Sequence, residues 1–298
     1  MGAVQVPSLV LKTKKENRMR KVAARVLASK QDATTDFRLS VSKSKTFEDC
    51  KAKFKFSYIE KLPKKDWDFH IFGKCLHGCL EYFHQDLIDH PEKCDNWTDA
   101  LLDGWKKSLE EYKDKMDKPM RDEAWGIVKE YKEILDVDGL PNVMAVEKDF
   151  FIELNERVLL NGFIDRIDRD PDGIIHVADY KTTKNKKYLN DFFQLMTYAY
   201  ALMVEDESIE EVRASFILLR HNFEYLTQHF RREDVMPIGE KFLKYADDIE
   251  NEKTWRPNPQ FLCKYCDFVD HCDAGKNYLI KKGMRKPDPR ELFGASKW

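Results

Sequence analysis

Two apolar runs joined by a tight turn constrain this chain more than any other feature. Val158, Leu159, Leu160, Phe163 and Ile164 lead into Asp165, and Ile174, Ile175, Val177 and Ala178 lead into Asp179. Between them, Asp170-Pro171-Asp172-Gly173 is a strong turn signal. This pattern predicts a hairpin with strands over about 157–167 and 174–181. Asp165 and Asp179 then stand roughly opposite each other, near the strand ends away from the turn. Side chains so placed come within several ångströms if they share a face. Two carboxylates that close repel unless a cation lies between them. A set of oxygen ligands suits Mg²⁺ or Mn²⁺. Lys181, two residues after Asp179, points to the same side of its strand. There it can reach a nucleophilic water or a scissile phosphate. A hairpin with Asp and Lys on its solvated face is the simpler alternative, so the assignment needs support from other segments.

The chain has 298 residues, enough for one large domain or two modest ones. Hydrophobic residues make up 42%, enough for a substantial core, and the formal net charge of −2 gives no global argument for nucleic acid. The distribution says more. Lys12, Lys14, Lys15, Arg18, Arg20, Lys21, Arg25 and Lys30 crowd the first thirty residues, and Lys276, Lys281, Lys282, Arg285, Lys286, Arg290 and Lys297 the last. Basic ends fit phosphate contact as well as they fit solvated tails. No apolar run has the length of a membrane span, and the start of the chain lacks the apolar stretch of a secretory signal. The expected compartment is therefore reducing cytosol. There, seven cysteines argue for free thiols or metal ligation over disulfides.

Residues 1–36 read as a basic arm. A helix is expected over Ser40 to Glu60, capped by Ser42 or Ser44, with Phe47, Cys50, Phe54 and Tyr58 on one face. A second covers Phe69 to Asp89, with the stripe Phe72, Leu76, Leu80, Phe83 and Leu87. Trp97 to Leu135 is largely helical, with a break near Met116 to Pro119. Strands follow at about 143–153 and in the hairpin, then a helix from about Asn190 to Met203. Strands Val212–Leu219 and Tyr225–Arg231 and a helix over about 233–252 complete the body. This order predicts an α/β (α+β) fold with helices around a mixed sheet.

Cys263-Lys-Tyr-Cys266, followed by Cys272, is a compact trio in a loop after Pro257 and Pro259. Three thiolates at this spacing need a fourth ligand. His271 would complete a Cys₃His zinc site. A distant cysteine among Cys50, Cys75, Cys79 and Cys94 would complete a four-thiolate iron–sulfur site. Spacing alone leaves both open. Cys75 and Cys79 lie in an apolar helix, where small buried thiols are normal.

Together these segments resemble the RecB-like branch of the PD-(D/E)xK nucleases, above all the CRISPR-associated iron–sulfur exonucleases and their phage-encoded relatives. Ser42-Lys43-Ser44-Lys45-Thr46-Phe47-Glu48-Asp49-Cys50 is similar to the family's opening Ser-x-Ser…Phe-x-x-Cys segment. Gly73-x-x-x-His77-x-x-x-Glu81 resembles its His-bearing helix. Gly162-Phe-Ile-Asp165-Arg166-Ile-Asp168 and Asp179-Tyr180-Lys181-Thr182 resemble its two catalytic strands. Gln194-Leu-Met-Thr-Tyr198 resembles the helix that follows, and Cys263, Cys266 and Cys272 the closing trio. Each motif is weak alone, whereas all five in order are specific. One departure is Lys51, where the family often has Pro after the first Cys. The region of about 90–140, the basic arm and the basic tail lie outside the match.

The resemblance implies a restriction-endonuclease-like mixed sheet flanked by helices. It implies a nuclease domain over 37–275, with a helical insertion at about 90–140, an arm at 1–36 and a tail at 276–298. It implies Asp165, Asp179, Lys181, Gln194 and Tyr198 as the catalytic set. The Mg²⁺ or Mn²⁺ ligands would be His77, Asp165, Asp179 and the Tyr180 carbonyl. Cys50, Cys263, Cys266 and Cys272 would hold a [4Fe-4S] cluster that clips distant segments together, with zinc as the alternative. Glu147 would support Lys181 or the metal, or form a surface ion pair. Arg166, on the opposite side of its strand from Asp165, is expected to be structural. Trp67, Phe69, Phe223 and Tyr225 could stack on unpaired bases, although most of them read as core. The implied activity is metal-dependent DNA exonuclease action on single strands or ends, in recombination, replication or spacer processing. The implied setting is the cytoplasm of a bacterial or phage-infected cell, with DNA and recombination or CRISPR-type proteins as partners and no membrane. The competing readings are a non-catalytic nucleic-acid-binding module and a zinc-bound interaction protein.

Overall fold

The structure, a computed structural model, describes residues 37–189 and 191–286. The basic arm, Asn190 and the end of the basic tail from 287 lie outside the described residues. The chain divides into two units. One consists of the segment Trp67–Lys241 with the strand entry at Phe37 and Arg38, and the other joins Leu39–Asp66 to the segment beginning at Phe242.

In the first unit a six-stranded sheet carries the hairpin. Its strands are β1 (Phe37–Leu39), β2 (Val143–Glu153), β3 (Val158–Arg169), β4 (Ile175–Lys181), β5 (Glu211–Leu218) and β6 (Glu224–Arg231). The order is β1-β3-β4-β5-β6, with β2 pairing the other side of β3. The β3–β4 turn forms as expected. Gly173 takes φ 86°, and its N–H donates to the Asp170 carbonyl at 2.8 Å. Ile175 to Tyr180 are all buried, because β4 is a central strand covered on both faces. β4 and β5 run parallel, so a crossover must connect them. That crossover contains helix α6 (Phe193–Glu205). Close packing inside the sheet shows at Gly162, where a Cβ would lie 2.6 Å from the Phe150 ring.

Helices α3 (Asp68–Asp89), α4 (Trp97–Tyr112) and α5 (Lys118–Asp138) belong to the same unit. The α3 stripe Ile71, Phe72, Cys75, Leu76, Cys79, Leu80, Phe83 and Leu87 is buried in one core with Leu101, Trp105, Val128, Tyr131, Ala178 and Tyr180. Burying a side chain of this size contributes about 1.5–3 kcal/mol. Cys75 and Cys79 are core thiols, as their apolar helix suggested. The motif-free region of about 90–140 is thus two helices that build this core. Lys118 and Pro119 open α5, with the Asp117 side chain accepting the Met120 N–H at 2.9 Å as the cap.

The second unit differs from expectation in its first helix. The cap is Ser40, whose Oγ accepts from the Lys43 N–H at 3.3 Å, and not Ser42 or Ser44. Helix α1 (Val41–Asp49) then stops at Cys50, which is extended at φ −163°, ψ 108°. Helix α2 (Lys51–Phe54) restarts there and widens into a π-helical turn over Lys55–Ile59. At the stop the Cys50 sulfur caps α2 by accepting from the Lys53 N–H. The helix expected over about 233–252 is likewise two, α7 (Arg232–Val235) and α8 (Ile238–Asn251). Pro237 lacks the N–H that would continue the first. A final helix, α9 (Asp273–Lys281), buries Gly275 and Leu279, so the boundary expected at 275/276 falls inside it.

Candidate functional site

The β3–β4 register pairs Arg166 with Ala178. One step further from the turn, the same register sets Asp165 beside Asp179. There the backbone ladder is replaced by a side chain: the Tyr180 N–H donates to Asp165 Oδ2 at 2.8 Å. The opposition expected from the sequence therefore holds, with the strands beginning to part at the two carboxylates.

Gln194 and Tyr198, one turn apart on α6, meet Asp179 from above the sheet. Gln194 Nε2 donates to Asp179 Oδ1 at 2.8 Å and to the Tyr198 hydroxyl at 2.7 Å. Its Oε1 accepts from Lys181 Nζ at 3.0 Å. The Tyr198 hydroxyl donates to Asp179 Oδ1 at 3.3 Å. Burial and the charges of Asp179 and Asp165 push the Tyr198 phenol well up, so it stays protonated as a donor. Lys181 Nζ forms an ion pair with Asp179 Oδ2. That oxygen is nonetheless buried without a directed hydrogen bond. Both observations hold together if the pair is Coulombic contact alone, which leaves lone pairs of Oδ2 for another partner.

His77 projects from α3, with its side chain 31% exposed and Nδ1 3.4 Å from Asp165 Oδ2. Its ring packs edge-on against Tyr180, centroids 5.6 Å apart. Burial, and after it the charge of Asp179, push the Asp165 carboxyl up to about 6; His77, the Tyr180 N–H and Lys181 act against that shift. The structure thus brings together His77, Asp165, Asp179, Lys181, Gln194 and Tyr198. Among the described residues, no three His, Cys, Asp or Glu side chains converge tightly enough to form a metal cage by themselves. The four-ligand set expected here is therefore not closed by side chains. A pair of carboxylates with one unsaturated buried oxygen does fit Mg²⁺ or Mn²⁺, which bind through one or two carboxylates and keep several waters.

Behind these groups lies a buried polar network whose extent the sequence did not reveal. Arg166 is 1% exposed. It pairs with Asp168 at 2.9 Å and donates to the Tyr180 hydroxyl at 2.9 Å and the Tyr131 hydroxyl at 3.3 Å. The His84 ring meets the Tyr131 hydroxyl at 2.9 Å, and burial with the Arg166 charge keeps that imidazole neutral. The network fixes the ring of Tyr180, whose N–H holds Asp165. The signal was the Asp165-Arg166-Ile167-Asp168 run: alternation separates Arg166 from Asp165 and puts it beside Asp168. Glu147 takes φ 44° inside β2, between residues paired with Arg166 and Ile164. A bulky residue in that region is unusual within a strand.

In the second unit, Cys50, Cys263, Cys266 and Cys272 line one pocket with Pro257, Asn258 and Pro259. Backbone N–H groups aim at the sulfurs. Lys53 and Asn258 donate to Cys50 Sγ at 3.5 and 3.4 Å, Gln260 to Cys263 at 3.4 Å, and Gly275 to Cys272 at 3.4 Å. Burial is the first cause that pushes the Cys266 and Cys272 thiols up, opposed by backbone N–H groups, and the charges of Cys50 and Cys263 add to the rise. The four sulfurs share one pocket with backbone donors, but among the described residues they too do not converge tightly enough to form a metal cage by themselves. His271 is exposed and does not line the pocket. Cys75, Cys79 and Cys94 stand outside it as well.

Comparison with known proteins bears on the family and the fold. The family model for the PD-(D/E)XK nuclease superfamily matches residues 38–273. One subunit of the ATP-dependent helicase/deoxyribonuclease of Streptococcus pyogenes serotype M1 is 36% identical over 81 residues, 26% of this chain and 8% of that protein. Its counterpart from serotype M3 is 35% identical over the same extent. The chain therefore spans less than a tenth of these relatives. A crystal structure of a provisionally assigned exonuclease from Eubacterium rectale superposes with TM-score 0.51 at 11% identity, covering 90% of this chain and 96% of that one. At that identity the likeness speaks for the fold alone, a restriction-endonuclease-like mixed sheet flanked by helices.

Proposed function

The chain belongs to the PD-(D/E)XK nuclease superfamily, and from that premise we propose that it is a metal-dependent deoxyribonuclease acting from the ends of DNA, with a preference for single strands. The observation that carries the reading is the group around Asp179: a buried carboxylate tied at once to Lys181, Gln194 and Tyr198 and facing Asp165 across the hairpin. A module that only bound nucleic acid would have no use for this assembly.

Asp165 and Asp179, with the Tyr180 carbonyl and His77 beside them, would hold the Mg²⁺ or Mn²⁺. When bound, the cation neutralises charge that builds on the phosphate and acidifies water at the site. The protein groups do the positioning. Gln194 holds Asp179 with its amide N–H and Lys181 with its amide oxygen, so one planar side chain sets the spacing of both. Lys181 is placed to orient the attacking water and to stabilise the phosphorane oxyanion. Tyr198 keeps a protonated hydroxyl on Asp179 Oδ1 and so keeps that oxygen turned inward.

The four cysteines would hold a [4Fe-4S] cluster with a structural role. A four-thiolate set without His271 supports this over the Cys₃His zinc alternative. The bond from Asn258 to Cys50 Sγ links residues 208 positions apart. A metal group across such a separation restricts the unfolded chain and couples its binding to folding. Among the described residues no helix is long and apolar enough to cross a membrane. A cytoplasmic setting and recombination or CRISPR-type partners remain part of the same reading.

The deciding experiment is digestion of 5′- and 3′-end-labelled single- and double-stranded DNA with Mg²⁺ or Mn²⁺, alongside iron and zinc analysis of anaerobically purified protein. Stepwise loss from an end and stoichiometric iron are expected. Failure to cut any DNA would overturn the catalytic reading, and a colourless protein with stoichiometric zinc would overturn the cluster.

A further inference from the structure

The exposed side of α3 that leads to His77 has a composition that the chemistry above does not use. Phe69 is a large apolar side chain left 43% exposed. Its ring stacks with Trp67, centroids 5.8 Å apart at 22°. It also meets the His70 ring edge-on at 4.4 Å. From His70 one face runs along the helix, with exposed His70 and Lys74 and half-buried His77 and Glu81 at spacings of four, three and four. At the rise of an α-helix, His70 stands about 10 Å before His77. Lys74 is exposed midway and carries the charge that a phosphate needs. The other aromatic candidates lie off this face. Phe223 is 4% exposed and stacks on Tyr131, and Tyr225, 47% exposed, lies on β6 and is tied by its hydroxyl to the buried Arg166 network, not to the helix that carries His77.

We propose that Trp67, Phe69 and His70 form a stacking platform for unpaired bases of the DNA strand being cut, with Lys74 on an intervening phosphate. The proposal rests on the nuclease reading and specifies its substrate. A flat exposed ring takes any base by its π-face, and that face is free only when the base is unstacked, so the platform selects single strands without selecting sequence.

The test uses the full chain and two readouts. Binding of a fluorescent oligothymidylate is measured by anisotropy with Ca²⁺ in place of Mg²⁺, against an abasic strand of equal length and a duplex. Phe69→Ala should weaken binding of the oligothymidylate about tenfold, the order of one lost base–aromatic stack. It should leave the abasic strand and the duplex unchanged, and Phe69→Trp should restore affinity. Equal losses on all three ligands, or no loss on any, would overturn the platform. Digestion separates this from the nuclease reading. If wild type cuts and Phe69→Ala raises KM with kcat unchanged, both stand. If Phe69→Ala leaves KM unchanged, the platform fails alone. If wild type cuts nothing while the Phe69-dependent binding holds, the nuclease reading fails and the platform survives.

Discussion

The carboxylate site and the cysteine site use the same device, a backbone N–H aimed at an anionic atom, to different extents. At the carboxylates one such bond exists, from Tyr180 to Asp165, and a side-chain oxygen of Asp179 is left without a directed donor. At the cysteines each sulfur has its backbone donor. A sulfur held by the backbone is fixed in place, whereas a buried carboxylate oxygen held only by Coulombic contact with Lys181 can take a further cation. On the function proposed above, the difference would separate a site for turnover from one for permanence, and it can be broken experimentally at either end.

The largest effect should come from the turnover site. Asp179→Ala or Lys181→Ala should lower DNA digestion by about a thousandfold or more, in line with removing transition-state charge stabilisation. Circular dichroism and iron content should not change; wild-type rates in either variant would refute the assignment. The permanent site should respond in the other observable. Cys50→Ser or Cys263→Ser should lose iron and visible absorbance and cost several kcal/mol in denaturant unfolding. The folded fraction that remains should still digest DNA.

The pH dependence of the metal-free protein sharpens the contrast. Asp165 has its folded-state value raised to about 6 by burial and by Asp179, against about 3.9 for an unfolded aspartate. A raised carboxyl binds its proton more tightly in the folded state. Stability is therefore highest below about pH 4 for this group and falls as pH rises toward 6, by up to about 3 kcal/mol. Thermal unfolding in EDTA across that window should show the fall. Asp165→Asn should flatten it, and saturating Mg²⁺ should restore stability at the upper end. A metal-free protein that gains stability through the window would contradict the crowding of the two carboxylates.

Smaller effects lie in the scaffold. Gly162→Ala would drive a Cβ against the Phe150 ring, which is 1% exposed and has no room to move. A loss of about 1–3 kcal/mol is expected from equilibrium unfolding. Smallest of all, Tyr198→Phe removes the long hydrogen bond to Asp179 and one of the two acceptors of the Gln194 amide. A decrease in kcat within about tenfold is expected, with KM unchanged.

Much of this site was legible in the chain because its parts are local. The turn residues Asp170 to Gly173 dictate a hairpin, and alternation along β4 then puts Lys181 on the side of Asp179. The four-residue spacing of Gln194 and Tyr198 dictates a shared helix face. Other features were not legible because they depend on distant partners. The break at Cys50 sits in a stretch with good helical periodicity, and it forms where the sulfur accepts N–H groups from both Lys53 and Asn258. The choice of Ser40 over Ser42 or Ser44 as cap follows from where β1 ends, which is a property of the sheet. The buried role of Arg166 needed Tyr131, Tyr180 and His84, contributed by three separate elements.

The sequence by itself determined the hairpin, the identity of the carboxylates and lysine, the helix faces and the closing cysteine trio. Each follows from turn chemistry or from a period of two or 3.6 residues. Only the tertiary structure decided that Cys50 completes the four-sulfur pocket in place of His271. It alone decided that Asp179 keeps an oxygen without a directed donor, and that Phe69 stays exposed while Phe223 is buried. Those outcomes depend on which surfaces pack together, and packing brings together residues that no local period relates.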